Sequence, residues 1–262
     1  MSLAHEILGT GSRTVLVCHG ILGSGRNWRS FAQKLVAAQP GWRAVLVDLR
    51  GHGGSAGLGP PYTVDQCAAD LVDLGLNPEV VIGHSFGGKV VLSYTARLPD
   101  ALRQTWVLDA TPGPATDDPG TTEVARVIAA LRQVPTLKRR TELVGILTGY
   151  GFSEGLARWM TTNLRRTDAG LRWRFDLDAI TALITDYFGL DLWDVLETPT
   201  TDLEIHVVRA LKSDRWTPDI LDRFDALSLG SDVTLHSLDA GHWVHVDNPD
   251  GLLAMMAEHW VD

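Results

Sequence analysis

Gly83-His84-Ser85-Phe86-Gly87 is a Gly-x-Ser-x-Gly pentapeptide, and a serine in that setting can attack an acyl carbon as a nucleophile. Five common letters carry little weight alone, but their flanks carry more. The apolar Val80-Val81-Ile82 leads in and Lys89-Val90-Val91-Leu92 leads out, which reads as strand, sharp turn and helix. The glycines answer a steric need, because side chains beside a nucleophile in so tight a turn would collide. The helix start also leaves backbone N–H groups unpaired near Ser85. A Gly/Ser turn without chemistry would leave that strand and helix as coincidence.

Acyl transfer also needs donors for an oxyanion. Cys18-His19-Gly20-Ile21-Leu22-Gly23-Ser24 follows the first firm strand, where a loop can aim a backbone N–H at the nucleophile. The expected oxyanion hole is the N–H of Phe86 with that of Ile21, each donor worth roughly a few kcal/mol in the transition state. His19 reads as a loop-shaping residue, and with Leu22 and Trp243 it is expected to border the substrate.

A base must take the serine proton, and histidine suits that task near neutral pH. Nine histidines compete. His242, in Asp239-Ala240-Gly241-His242-Trp243, follows the last predicted strand and precedes a helix over 249–260. His245 reads as a pocket or helix-start residue, whereas His206 and His236 lie inside strands and read as structural.

The elements that must position these groups alternate along the chain. Short β-branched runs at 14–18, 43–47, 79–82, 105–108, 204–208 and 232–238 predict strands, with helices between them at 27–38, 63–74 and 86–97. Near-continuous apolar character fits strands buried on both faces. The expected fold class is α/β: a doubly wound, mostly parallel sheet of about six to seven strands. The rhythm breaks over 112–199, which shows helical periodicity, scattered aromatics and no convincing strand. This stretch is expected to be a helical cap over the carboxyl edge of the sheet, where ligands bind in open α/β folds. The core would then comprise 1–111 and 200–262.

Bulk properties narrow the class. The 262 residues suit one domain carrying an insertion, and 45% hydrophobic with 21% charged residues is ordinary for a globular protein. A net charge of −9 argues against nucleic acid or an anionic membrane as partner. Lys138-Arg139-Arg140 is too short to reverse that. Two cysteines, Cys18 and Cys67, without Cys-x-x-Cys spacing, favour buried thiols and a reducing cytoplasm. No apolar run reaches membrane-span length, and the first residues lack signal-peptide character. No phosphate loop, dinucleotide fingerprint or metal-ligand cluster is present, so no cofactor beyond water is expected. The expected partner is a small-molecule ester, the protein acting as a monomer or homodimer.

Taken together, these segments resemble the α/β-hydrolase superfamily. They are most similar to its small serine acyl-esterase branch, through His-Gly-x-x-Gly-Ser at His19 to Ser24 and Gly-His-Ser-x-Gly-Gly-Lys at Gly83 to Lys89. Asp48-Leu49-Arg50-Gly51-His52-Gly53 matches the Asp-x-Arg-x-His-Gly loop of that family. The likeness covers roughly 14–110 and 204–260, and leaves room for one strand before Thr14. It implies cleavage of carboxylic esters or thioesters through an acyl-enzyme, with His242 in the family position of the base. Lactonase or carbon–carbon bond hydrolase chemistry, or a slow-turnover ligand receptor, would use the same fold.

The resemblance leaves the triad acid open. The usual slot follows the strand at 204–208, where Asp214 in Asp214-Arg215-Trp216-Thr217-Pro218 is the first choice. Some members carry the acid after the preceding strand, which points to Asp109 in Leu108-Asp109-Ala110. The aromatics of the middle region are expected partly to line an acyl or alcohol pocket and mostly to pack.

Overall fold

The computed structural model describes residues 2–114, 122–198, 203–227 and 232–261. Among them, seven strands form one sheet in the order β1-β3-β2-β4-β5-β8-β9. These are β1 (His5–Leu8), β2 (Arg13–Cys18), β3 (Trp42–Val47), β4 (Val80–His84), β5 (Gln104–Leu108), β8 (Glu204–Ala210) and β9 (Val233–Leu238). Every neighbouring pair is parallel except β1 with β3. Each predicted strand is present, displaced at its ends by a residue or two.

Alternation along these strands divides the core between two faces. Leu16, Cys18, Val45, Val47, Val81, Val107, Ile205 and Val207 pack on one face against helices α2 (Val64–Asp73) and α3 (Phe86–Thr95). Val15, Val17, Ala44, Leu46, Ile82, Trp106 and Leu108 pack on the other. There they meet Phe31 and Leu35 of α1 (Arg29–Ala38) and Leu252 and Met256 of α11 (Pro249–His259). Every residue of α3 is buried, as suits a helix enclosed on all sides.

The register brings the loops together. Cys18 pairs with Gly83, His84 with Leu108, and Leu108 with Val208. The loops leaving β2, β4, β5 and β8 therefore emerge along one edge, and β9 joins them through the pairing of Ala210 with Leu238.

Between β5 and β8 lie α4 (Glu123–Arg132), α5 (Arg140–Gly149), α6 (Glu154–Met160), α7 (Leu177–Gly189) and α8 (Trp193–Glu197). Helix starts carry the expected caps: Thr122 accepts from Ala125 N at 3.3 Å, and Ser153 from Leu156 N at 3.2 Å. The expectation of no strand here is corrected. Strands β6 (Leu164–Thr167) and β7 (Gly170–Trp173) form an antiparallel hairpin, with Thr167 opposite Gly170. Four-residue strands rich in arginine give a weak periodic signal, and Thr167-Asp168-Ala169-Gly170, with Gly170 at φ 114°, was the cue available. Apolar residues of the region, from Val127 to Leu196, join the same buried cluster as α2 and α3. The expected closing boundary at Pro199 lies outside the described residues.

The remaining helix is α9 (Pro218–Leu227), with the short α10 (Val244–Asp247) ahead of α11. No helix among the described residues is long and apolar enough to cross a membrane.

Candidate active site

Ser85 sits between the end of β4 and the start of α3 with φ +52° and ψ −117°, a region that L-residues rarely occupy and that is strained by about 1–3 kcal/mol. The strain is held by its surroundings. Ser85 N donates to Leu108 O at 2.9 Å, and Gly88 N donates to Ser85 O at 2.8 Å. The flanking glycines are sterically required: a Cβ on Gly83 would lie 2.1 Å from Gly87 O, and one on Gly87 would lie 2.6 Å from Cys18 O.

His242 follows β9, and its Nδ1 lies 2.7 Å from Oδ2 of Asp109, the residue after β5. A carboxylate can only accept, so Nδ1 carries the proton and Nε2 is the basic nitrogen. The other Asp109 oxygen, Oδ1, accepts from Trp216 Nε1 at 2.7 Å and from Ala210 N at 3.0 Å. Burial alone would raise the Asp109 pKa, but the donors from His242, Trp216 and Ala210 outweigh it and hold the carboxyl below its ordinary value. Asp214 borders the cavity without reaching His242 Nδ1: its side chain is fully exposed, with Oδ1 3.8 Å from Arg215 Nη1. The preference for Asp214 as the partner of His242 is thus reversed in favour of Asp109. Neither spacing nor strand order reveals which carboxylate turns inward, and Trp216, which the sequence reading passed over, is part of the reason one does.

Burial lowers the His242 pKa, and the Arg215 charge adds to that, while the Asp109 bond and charge oppose it. His84, beside Ser85, contacts the loop of His242: its Nε2 lies 2.7 Å from His242 O, and the two rings are 4.7 Å apart. A carbonyl only accepts, so His84 Nε2 is the donor. Burial drives its pKa well down, with His242 and His245 adding to the effect. His245 stacks on Trp28 at 4.0 Å and titrates at about 4, chiefly because it is buried.

The loop after β2 is fixed by a second pair of histidines. His19 Nε2 accepts from Leu49 N at 3.0 Å, and His52 Nε2 accepts from Leu22 N at 3.1 Å. Their Nδ1 atoms donate to Gly20 O and Arg50 O. Burial takes them to about 4 and about 3. His19 therefore shapes the loop as a neutral ring while bordering the cavity. Leu22 adopts φ +61°, its N–H committed to His52 and its O accepting from Asn163 Nδ2 at 2.6 Å. Ile21 lines the cavity. The Phe86 side chain is buried, while its N–H, first in α3, has no intrahelical partner.

Ser85, His242, Ile21, Leu22 and Trp243 share one cavity of about 370 Å³, a size typical of small-molecule sites. Of the aromatics between β5 and β8, Trp159, Tyr187 and Phe188 line it. Phe152, Phe175 and Trp193 are buried in the core, and Tyr150 is exposed. Trp159 meets Trp243 edge-on at 4.4 Å. Among the described residues no cluster of three His, Cys, Asp or Glu side chains could hold a metal ion. Cys18 and Cys67 are free and buried, and burial pushes both thiols upward in pKa.

The sequence pattern of the alpha/beta hydrolase family matches residues 15–255. The chain is 28% identical to sn-1-specific diacylglycerol lipase ABHD11 of Danio rerio over 262 residues, 95% of this chain and 79% of that protein. It is also 28% identical to Lipase LipV of Mycobacterium tuberculosis over 266 residues, 94% of this chain and 93% of that protein. Among solved structures, a marine microorganism esterase superposes with a TM-score of 0.83 at 26% identity, covering 98% of both chains.

Proposed function

The chain belongs to the alpha/beta hydrolase family, and on that premise we propose that it is a serine hydrolase of carboxylic esters or thioesters. Ser85 Oγ attacks the acyl carbon while Nε2 of His242 takes its proton. Asp109 holds the imidazole by Nδ1 and stabilises the imidazolium that forms. The N–H groups of Phe86 and Ile21 receive the negative oxygen of the tetrahedral intermediate. Collapse expels the alcohol or thiol, which takes the proton back from His242. Water, deprotonated by the same nitrogen, then cleaves the acyl-enzyme and releases the acid and free Ser85. Residues 112–199 act as a cap whose Trp159, Tyr187 and Phe188 shape the acyl or alcohol pocket.

The observation that carries this reading is the 2.7 Å contact of His242 Nδ1 with a buried Asp109 carboxylate, in a cavity shared with a positive-φ Ser85. Its test is fluorophosphonate labelling together with turnover of 4-nitrophenyl butyrate. Wild type should label and turn over, and Ser85→Ala should do neither. Well-folded wild-type protein that fails to label would overturn the assignment of the nucleophile.

A further inference from the structure

Two cationic side chains, Lys89 and Arg215, line the cavity alongside its histidines, and they differ in how far their charge is already used. Lys89 Nζ donates to Gly113 O at 2.8 Å, to Tyr187 O at 2.7 Å and to Leu190 O at 2.7 Å. An ammonium has three protons, so Lys89 has none left for a ligand. The described polar contacts of Arg215 lie within its own loop. Nη1 is 3.5 Å from Ser213 Oγ and 3.8 Å from Asp214 Oδ1. Both are long, and the Asp214 side chain is fully solvated, so neither is the paired fork that satisfies a guanidinium.

Where this cation sits matters for the chemistry. Arg215 lines the same cavity as Ser85 and His242, and its charge bears on His242, on His84 and on Tyr187. A cation there opposes the imidazolium that His242 must become. Asp109 offsets part of that opposition, and an anion seated on Arg215 would offset more of it when substrate is in place. The acidic residues of the wall fill this role only weakly. Asp214 contributes least among the groups that favour the imidazolium, from a fully solvated position 3.8 Å from Arg215. Glu123 stands in the first turn of α4, where the helix dipole already favours its charge.

We propose that Arg215 is a carboxylate-binding residue of the substrate site, and that the preferred substrates are esters or thioesters bearing a free carboxylate. This rests on the hydrolase reading of Ser85 and His242. Arg215 neither gives nor takes a proton; it forms charge-assisted hydrogen bonds to the distant carboxylate and orients the ester.

The test uses two matched pairs that differ only by methylation of the carboxylate. One pair is 4-nitrophenyl hydrogen glutarate and its methyl ester, with the charge on the acyl side. The other is 4-butyryloxybenzoate and its methyl ester, with the charge on the leaving group. Release of the phenol is followed at constant low ionic strength, and the readout is the ratio of kcat/KM, anionic over neutral. The expected ratio is at least tenfold in favour of the anion in one pair. It should fall toward one in Arg215→Gln and below one in Arg215→Glu. Ratios near one for both pairs in wild type, or a ratio unchanged in Arg215→Gln, overturn the proposal while leaving Ser85 as nucleophile. If wild type releases phenol from none of the four compounds, the hydrolase reading itself falls.

Discussion

Asp109 Oδ2 and His242 Nδ1 lie 2.7 Å apart although 133 positions separate them in the chain. The pair is buried on the carboxylate side and held from behind, since Trp216 Nε1 and Ala210 N occupy the second oxygen. Asp109 itself is in the left-handed region at φ +46°, where a non-glycine residue persists only if its neighbours hold it. One side chain thus links the loops after β5, β8 and β9.

Exchange of Asp109 for asparagine should therefore be far more damaging than the same exchange at Asp214. Loss of an orienting acid of this kind lowers kcat by about 10⁴ with the geometry otherwise intact. Asp109→Asn is expected to show that loss with 4-nitrophenyl butyrate, and Asp214→Asn to stay within about tenfold of wild type. Steady-state kinetics on both variants settles the comparison, and the reverse ranking would return the role to Asp214.

The acid limb of the pH–rate profile should lie below the ordinary histidine value of 6.5. Burial and Arg215 disfavour the imidazolium of His242 more than Asp109 and Asp214 favour it, and neighbouring His84 and His245 are also held below their ordinary values. His242 therefore stays neutral, and so able to accept a proton, to lower pH. A kcat/KM profile on a neutral ester measures this directly; a limb above 6.5 contradicts the balance of charges described.

Alongside His84 and His245, the His19–His52 pair should add to the acid sensitivity of the fold. Both rings titrate lower in the folded protein than in the unfolded chain, at about 4 and about 3 against 6.5. As pH falls below 6.5 the unfolded chain takes up protons that the folded one does not. Stability present above 6.5 is then lost as pH falls to about 4 for His19 and about 3 for His52, on the order of 3 and 5 kcal/mol respectively. The urea midpoint should drop steadily between pH 7 and pH 4.5. A midpoint independent of pH there would mean that these rings are not held below their unfolded-chain values, and would overturn the prediction.

Lys89 ties α3 to the region between β5 and β8, through Gly113 O at its start and Tyr187 O and Leu190 O around the end of α7. Its ammonium also lies 4.5 Å from the Tyr187 ring centre. Lys89→Met keeps the length of the stem and leaves three carbonyls without their donor. Stability should fall by about 3 kcal/mol, and KM should rise more for bulky acyl groups than for acetyl, because Tyr187 and Phe188 wall the cavity. Urea titration and an acyl-length series read the two effects separately. Wild-type stability with an unchanged length profile would show that these bonds do not hold the wall.

Sequence alone determined what depends on neighbours along the chain. The strand–turn–helix around Ser85 was legible because Val80-Val81-Ile82, the glycines and the run after Lys89 each obey a local steric or periodic rule. The same rules located five further strands of the sheet, though not β1, and placed His242 between the last strand and the last helix. The β6–β7 hairpin escaped them, because four residues are too few to show a period. What only the tertiary structure decided were pairings across the sheet edge: Asp109 rather than Asp214 against His242, His84 against the His242 carbonyl, and Lys89 beneath Tyr187. Asp109 and Asp214 both follow strands, so spacing treats them alike. Register and burial separate them, turning one carboxylate onto three donors and leaving the other in water.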